Sequence, residues 1–320
     1  MKKLLLGIVL LSVLPNCLFG QKIGHMGSFR DINSATYFRL NYENDYFSSS
    51  DKNYTQGYNF ELVLPSLKKN PVNFLFFKHK TQEIKYGLAL EHIGFTPENY
   101  KSPEIQFGDR PFAAAIMLKS FMIAVDTVRK SRLVSSFSFG IIGPGAFGKE
   151  MQVGIHKITG NAIPQGWQNQ IKNDIVLNYS FGHEKLLFRY RNLFSLQFNS
   201  ILRVGTLFTN ASAGFNTAVG IINKPFSSVA KKASFKIYFY SQPLINFIGY
   251  DATLQGGLFN DKSPYVVPSD KIERFTAQYN YGVVLQTKSL YFEYSRTLLT
   301  REFESGTSAR WGGFKIGFTF

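Results

Sequence analysis

The feature that most constrains this chain is the alternation in its last ten residues, Trp311-Gly-Gly-Phe-Lys-Ile-Gly-Phe-Thr-Phe320. Phe314, Ile316, Phe318 and Phe320 fall on one face, while Gly313, Lys315, Gly317 and Thr319 take the other. Successive side chains point to opposite sides of a strand, so the segment reads as a strand with one apolar and one polar or small face. A sequence that ends on an aromatic residue in mid-pattern is expected to have its last strand built into a larger sheet. Apolar outward and polar inward is the pattern of a closing strand in an outer-membrane β-barrel. The final strand of a soluble sandwich would show the same alternation.

The opposite end points the same way. Met1-Lys-Lys precedes a short apolar run from Leu4 to Leu14, then Pro15-Asn-Cys-Leu-Phe-Gly20. A basic start, a short hydrophobic stretch and a small residue at the cut make residues 1–20 a secretory signal peptide, too short to span a bilayer. The single cysteine, Cys17, leaves with it. Asn16 stands where lipidation of Cys17 requires a small residue, so a lipid anchor is not expected. The exported chain, residues 21–320, therefore uses no disulfide in an oxidising compartment and must draw stability from a closed hydrogen-bond network.

Composition excludes other classes. No stretch after residue 20 offers eighteen consecutive apolar residues, so helical spans are not expected. Aromatic residues make up 16% of the chain, with 32 Phe and 17 Tyr, more than a soluble core of this size uses. An aromatic outer face with interfacial girdles would use them. Without Lys2 and Lys3, the 36 basic residues fall to 34 against 21 acidic ones, a net charge of +13. An exported barrel meets no nucleic acid, so anionic lipid headgroups, above all the phosphates of lipid A, are the expected partner.

Segments near 35–44, 55–64, 84–94, 112–125, 131–142, 174–190, 194–208, 210–221, 232–248, 270–287, 289–300 and 309–320 read as strands. The fold class is thus all-β, a transmembrane antiparallel barrel of about twelve strands in one domain over 21–320, with its long loops on the extracellular side. Three Gly-, Pro- and polar-rich segments break the rhythm, 45–54, 95–111 and 143–173. Loops on a rigid scaffold are where chemistry tends to be placed.

The first of these follows Tyr42-Glu43-Asn44-Asp45 and leads into Tyr54-Thr55-Gln-Gly57. Alternation places Phe38, Leu40 and Tyr42 toward lipid, and Arg39, Asn41, Glu43 and Asp45 toward the lumen. On the next strand it places Tyr58, Phe60 and Leu62 toward lipid and Thr55, Gly57, Asn59 and Glu61 inward. Asp45 and Thr55 are then expected inside near one rim, with Asn44 on the opposite parity unless a bulge or strand end brings it across. Carboxylate, amide and hydroxyl oxygens suit a hard cation such as calcium. The same residues are ordinary turn formers, and spacing alone favours the polar turn.

The third segment contains Gly143-Pro-Gly-Ala-Phe-Gly-Lys-Glu-Met-Gln152-Val-Gly-Ile-His156 and continues to Gly166-Trp167-Gln-Asn-Gln170. If 148–159 is helical, Gln152 and His156 stand four apart on one face. Histidine is the usual general base near neutral pH. Of the five histidines only His156 lies in a long polar loop, since His92 and His183 fall in strands, His79 among Phe and Lys, and His25 ahead of the barrel. A solvated loop histidine would look the same.

Asn44-Asp45 with Tyr54-Thr55, Gly108-Asp-Arg-Pro-Phe-Ala113, Gly143-Pro, Gln152 with His156, and Gly166-Trp167 with Gln170 occur together in this order. In this combination the chain resembles the lipid A 3′-O-deacylase family of outer-membrane barrels, strongly over residues 36–175 and elsewhere only as barrel strands. The resemblance implies a twelve-stranded barrel whose site opens near the outer leaflet, and calcium-dependent hydrolysis of the ester-linked acyl chains at the 3′ position of lipid A. It implies His156 as the base that activates water, and Asn44, Asp45 and Thr55 as the residues that line the site and hold Ca2+. It further implies Gln152 as a support for His156 or substrate, and Lys101 as the site lysine after the third strand. The substrate would be lipopolysaccharide in the cell outer membrane, and the enzyme a monomer among outer-membrane lipids. A phospholipase barrel, which would use a Ser-His-Asn arrangement not evident here, and a non-enzymatic lipid-binding or pore-forming barrel are the alternatives.

Overall fold

The computed structural model describes residues 26–45, 53–78, 83–222, 226 and 235–320. The expected signal peptide, Cys17, His25 and His79 lie outside the described residues. Twelve antiparallel strands form one closed sheet: β1 (Tyr37–Asn44), β2 (Asn53–Val63), β3 (Glu83–Thr96), β4 (Ala113–Asp126), β5 (Ser131–Ile142), β6 (Asp174–Tyr190), β7 (Phe194–Gly205), β8 (Phe208–Ile221), β9 (Lys236–Asp251), β10 (Phe275–Gln286), β11 (Leu290–Leu299) and β12 (Ala309–Thr319). Each strand pairs with its sequence neighbours, and β12 closes on β1 from Tyr37↔Thr319 to Asn44↔Gly312. Closure leaves no edge strand and satisfies the backbone within the sheet, as a hydrocarbon environment requires. No helix of the described residues is long and apolar enough to cross a membrane.

The alternation read from the sequence divides outside from inside. Phe38, Phe60, Leu90, Leu118, Phe292, Ile316 and Phe318 are outward and exposed. Their neighbours along the strands fill the lumen, where Arg39 pairs with Glu61 at 2.8 Å and Lys315 with Glu43 at 2.7 Å. Lys315, on the polar face of the terminal repeat, is fully buried there.

Residues 26–32 turn inward and plug the lower half of the lumen. Arg30 reaches Glu293 at 2.8 Å, Tyr238 donates to the Phe29 carbonyl at 2.5 Å, and Arg132 donates to the Met26 carbonyl at 2.6 Å. Above the plug remains a lumenal cavity of about 140 Å³, lined in part by Tyr54, Glu91, Lys119 and Arg203.

The connections segregate between the two rims. Those at the upper rim span 97–112, 143–173, 206–207, 252–274 and 300–308, and the upper ends of β1 and β2 lie at the same rim. The lower rim holds the tight turns 127–130, 191–193 and 287–289, together with 64–78. The irregular sequence segments 95–111 and 143–173, and the described ends of 45–54, thus fall on one rim. So does 252–274, of which the sequence reading gave only 270–274 to strand: β10 begins at Phe275, not 270, and a short helix α2 (Ala252–Gln255) follows β9.

Candidate active site

The longest connection holds helix α1, Gly148–Thr159, which meets the condition for Gln152 and His156 to share one face. Two glycines set its position. Gly143 takes φ +106° at the end of β5, and a Cβ there would stand 2.6 Å from the backbone of Lys172 and Asn173. Gly148 opens α1 against the barrel wall, where a Cβ would come within 2.4 Å of Ala114 Cβ and 2.7 Å of the Trp167 ring. Ala114 pairs with Gly94 in register and shares the outward parity of Leu90 and Leu118. Helix α1 is therefore held against the outside of the barrel at its upper rim. Phe147 and Ile158, near its two ends, are exposed at 57% and 88%.

Both helix residues face the wall. Gln152 is 1% exposed, and its Oε1 accepts from Trp167 Nε1 at 2.7 Å; Gln152 Nε2 has no hydrogen-bond partner among the described residues. Trp167 is itself buried against Phe112, ring centroids 5.0 Å apart. His156 is 5% exposed, with Nδ1 2.6 Å from the Ala162 carbonyl and its ring edge-on to Tyr100 at 5.5 Å and 89°. A carbonyl can only accept, so Nδ1 carries the proton, and in the neutral ring Nε2 presents a lone pair. This histidine is oriented, not a solvated loop residue.

The connection 97–112 clamps onto the same loop. Gln165 N–H donates to the Tyr100 carbonyl at 3.0 Å, and Ile171 N–H to the Phe112 carbonyl at 2.9 Å. Within it Asp109 accepts from the N–H groups of Glu98 and Arg110, both at 2.7 Å. Burial pushes the Asp109 carboxyl above its ordinary range, and the two N–H donors pull it back. Arg110 lies over the Phe95 ring at 4.2 Å and bonds Glu302 at 3.1 Å and Thr253 at 3.3 Å, tying together three upper connections. Lys101 is exposed, its ammonium 5.8 Å from the centroid of the Tyr100 ring, and so stands beside the residue that packs on His156.

The β1–β2 hairpin supplies the other group, with one correction to the sequence reading. Thr55 does not face the lumen. A β-bulge lies between Tyr54, paired with Phe95, and Gln56, paired with Gly94. The extra residue reverses the parity there. Thr55 Oγ1 instead meets Thr96 Oγ1 at 2.6 Å, and Thr96 has the outward parity of His92 and Leu90. Asn44, outward at the end of β1, donates through Nδ2 to the Thr55 carbonyl at 2.7 Å. A bulge does unite Asn44 and Thr55, by turning Thr55 out. Asp45 follows directly and is 1% exposed.

Amide and hydroxyl groups of Asn44, Thr55 and Thr96 thus meet at one strand end, with the buried Asp45 carboxylate next to Asn44 in sequence. Their chemistry fits a hard divalent cation and not a soft metal, and no cluster of three or more His, Cys, Asp or Glu among the described residues competes for one.

Sequence reasoning missed His92, Thr96 and Tyr100. His92 is outward and 4% exposed; it donates from Nε2 to the Ala146 carbonyl at 2.9 Å and so pins the turn leading into α1. Its position inside a strand concealed this. The pairing of the β2 and β3 ends would have indicated Thr96, and Tyr100 adjoins Lys101.

The family described as outer membrane protein LpxR matches the chain over residues 4–320. No curated protein matches it significantly. Among solved structures, LpxR from Salmonella typhimurium superposes with a TM-score of 0.72 at 19% identity, covering 89% of this chain and 100% of that one. At that identity the likeness establishes the fold. The β domain of the Bordetella autotransporter BrkA covers 89% of this chain and 98% of its own at 9% identity, with a TM-score of 0.43, and carries no further argument. From the family match and the twelve-stranded closed barrel, the chain belongs to the outer membrane protein LpxR family and resides in the outer membrane of a Gram-negative cell.

Proposed function

We propose that the protein is a carboxylic ester hydrolase that removes the ester-linked acyl chain at the 3′ position of lipid A, with His156 as the base that activates water. The observation that carries this reading is the Nδ1–H contact of His156 with the Ala162 carbonyl at 2.6 Å, on a buried helix face held against the outer wall of the barrel. A substrate that stays in the outer leaflet would meet that face laterally, without entering the lumen.

The chain's residues then divide the work. His156 Nε2 takes a proton from water as the oxygen attacks the ester carbonyl. The acyl C–O bond breaks, the imidazolium returns the proton to the departing sugar alkoxide, and a free fatty acid and a sugar hydroxyl result. Tyr100 and the Ala162 carbonyl keep the imidazole ring in one orientation. Gln152, its oxygen held by Trp167, aims an N–H at the substrate's carbonyl region. Asn44, Asp45 and Thr55 would hold calcium, which when bound supplies positive charge to stabilise the developing oxyanion. Lys101, exposed beside Tyr100, is placed to meet an anionic group of the headgroup. No serine nucleophile and no acyl-enzyme are needed.

The pore reading is disfavoured by the lumen, which residues 26–32 and their ion pairs fill in its lower half. The functional test is fatty-acid release from purified lipid A. His156→Ala and His156→Asn should each slow it by about 10²–10⁴-fold, the usual span for a general base. His183→Ala, on β6 and far from α1, should stay within a few-fold of wild type. Wild-type release from the His156→Ala protein, assembled as shown by heat modifiability, would remove the histidine mechanism.

A further inference from the structure

Next to the outward-turned Thr55, Gln56 also takes the outward parity, which it shares with Tyr58 and Phe60 in unbroken register. Gln56 is 1% exposed, yet neither its Oε1 nor its Nε2 has a hydrogen-bond partner among the described residues. Burying a carboxamide with both ends unsatisfied costs stability, and an apolar β-branched residue would suit a lipid-facing strand position better. The side chain leans over Gly94, where a Cβ would stand 3.3 Å from Gln56 Cγ and 3.7 Å from its Nε2. Gly94 is in register with Ala114, the residue on which Gly148 and Trp167 seat α1. Two small residues therefore separate Gln56 from the Trp167–Gln152 pair. Unpaired carboxamide atoms stand on both sides of them: both ends of Gln56 and the Nε2 of Gln152.

We propose that Gln56 is a specificity-determining, substrate-binding residue: its Oε1 accepts a hydrogen bond from a donor next to the scissile ester, the amide N–H of an N-acylated amino sugar. The inference rests on the functional reading above and deepens it. In a 2-amino sugar that carries an ester at its third carbon, the amide N–H lies on the adjacent carbon, within reach of a group beside the reacting carbonyl. The acyl esters of a glycerophospholipid have only acceptors around them. Against such a lipid the Gln56 acceptor stays unpaired, and a buried acceptor left unpaired is a strong ground for rejection. The residue thus separates an acylated amino-sugar lipid from a phospholipid at the same catalytic centre.

The test compares kcat/KM for fatty-acid release from a 2-N-acyl, 3-O-acyl glucosamine lipid and from its N-methylated amide, which lacks the N–H. Wild type should prefer the N–H substrate by roughly 10–100-fold, the weight of one buried unpaired acceptor. Gln56→Met, of equal length but without polar atoms, should lose a similar factor on the N–H substrate and treat the two alike within about two-fold. Gln56→Glu, which keeps the acceptor, should keep the preference. Equal turnover of the two substrates by wild type, or an undiminished preference in Gln56→Met, overturns the inference and leaves the esterase reading intact. Release from neither substrate by wild type overturns the esterase reading and the inference with it.

Discussion

Trp167→Phe isolates one hydrogen bond at the seat of α1. The indole N–H donates to Gln152 Oε1 at 2.7 Å, and both side chains are 1% exposed. Phenylalanine keeps a ring against Phe112 and Ala114 but removes the donor. Gln152 is then buried with neither amide end paired, since its Nε2 already lacks a partner among the described residues. Leaving one neutral acceptor unsatisfied costs about 1–3 kcal/mol. The smaller ring adds about 1 kcal/mol, from roughly 40 Å³ of void at about 24 cal/mol per Å³. The sum, about 2–4 kcal/mol, falls on the α1 seat and not on the strands, because Trp167 makes no ladder hydrogen bond. The barrel should therefore lose its heat-modifiable form at nearly the wild-type temperature, while fatty-acid release falls about 10–100-fold. A double-mutant cycle sharpens the reading. Once Gln152→Leu is in place, Trp167→Phe should cost little more, because both changes break the same contact. Wild-type release by Trp167→Phe, or full additivity with Gln152→Leu, would refute the view that this bond positions the amide.

Two further perturbations separate the hairpin from the lumen. A calcium chelator should abolish release and added calcium should restore it, whereas Asp45→Ala should be inactive at any calcium level, because a methyl cannot replace a charged oxygen ligand; full activity in the chelator would remove the ion from the mechanism. In the lumen, Glu293 accepts from Arg30 at 2.8 Å and from Tyr240 and Tyr291 at 2.6 Å each, with Lys315 at 3.9 Å. Glu293→Ala removes the carboxylate that faces the buried Arg30 at 2.8 Å, while Lys315 keeps Glu43 at 2.7 Å, and should destabilise the barrel by about 3–5 kcal/mol, read as a lower temperature of band shift. Glu304→Ala, which breaks an exposed pair with Lys271, should move that temperature little.

The strand plan could be read from the sequence because a barrel wall imposes period two on every strand, and Phe314 to Phe320 or Phe194 to Asn199 carry that period without interruption. The helix entered the sequence reading only as a condition, because Gln152 and His156 four residues apart share a face only if 148–159 is helical, which it is. The direction of Thr55 could not be read. Strict alternation from Tyr58 carries it inward, and nothing local in Tyr-Thr-Gln-Gly marks the extra residue, because a bulge is fixed by which partner each residue finds on β3. The same limit hid His92, whose strand position gave no sign that a turn 54 residues downstream would fold back over it and present the Ala146 carbonyl. In both cases the missing information was long-range pairing, and both residues lie where the wall, the bulge and α1 meet. A barrel wall that only spans the membrane has no use for a buried histidine, a pair of bonded threonines and an unpaired glutamine on its lipid side. Their concentration beside the upper ends of β2 and β3 is the physical mark of a wall that also works as one face of a site.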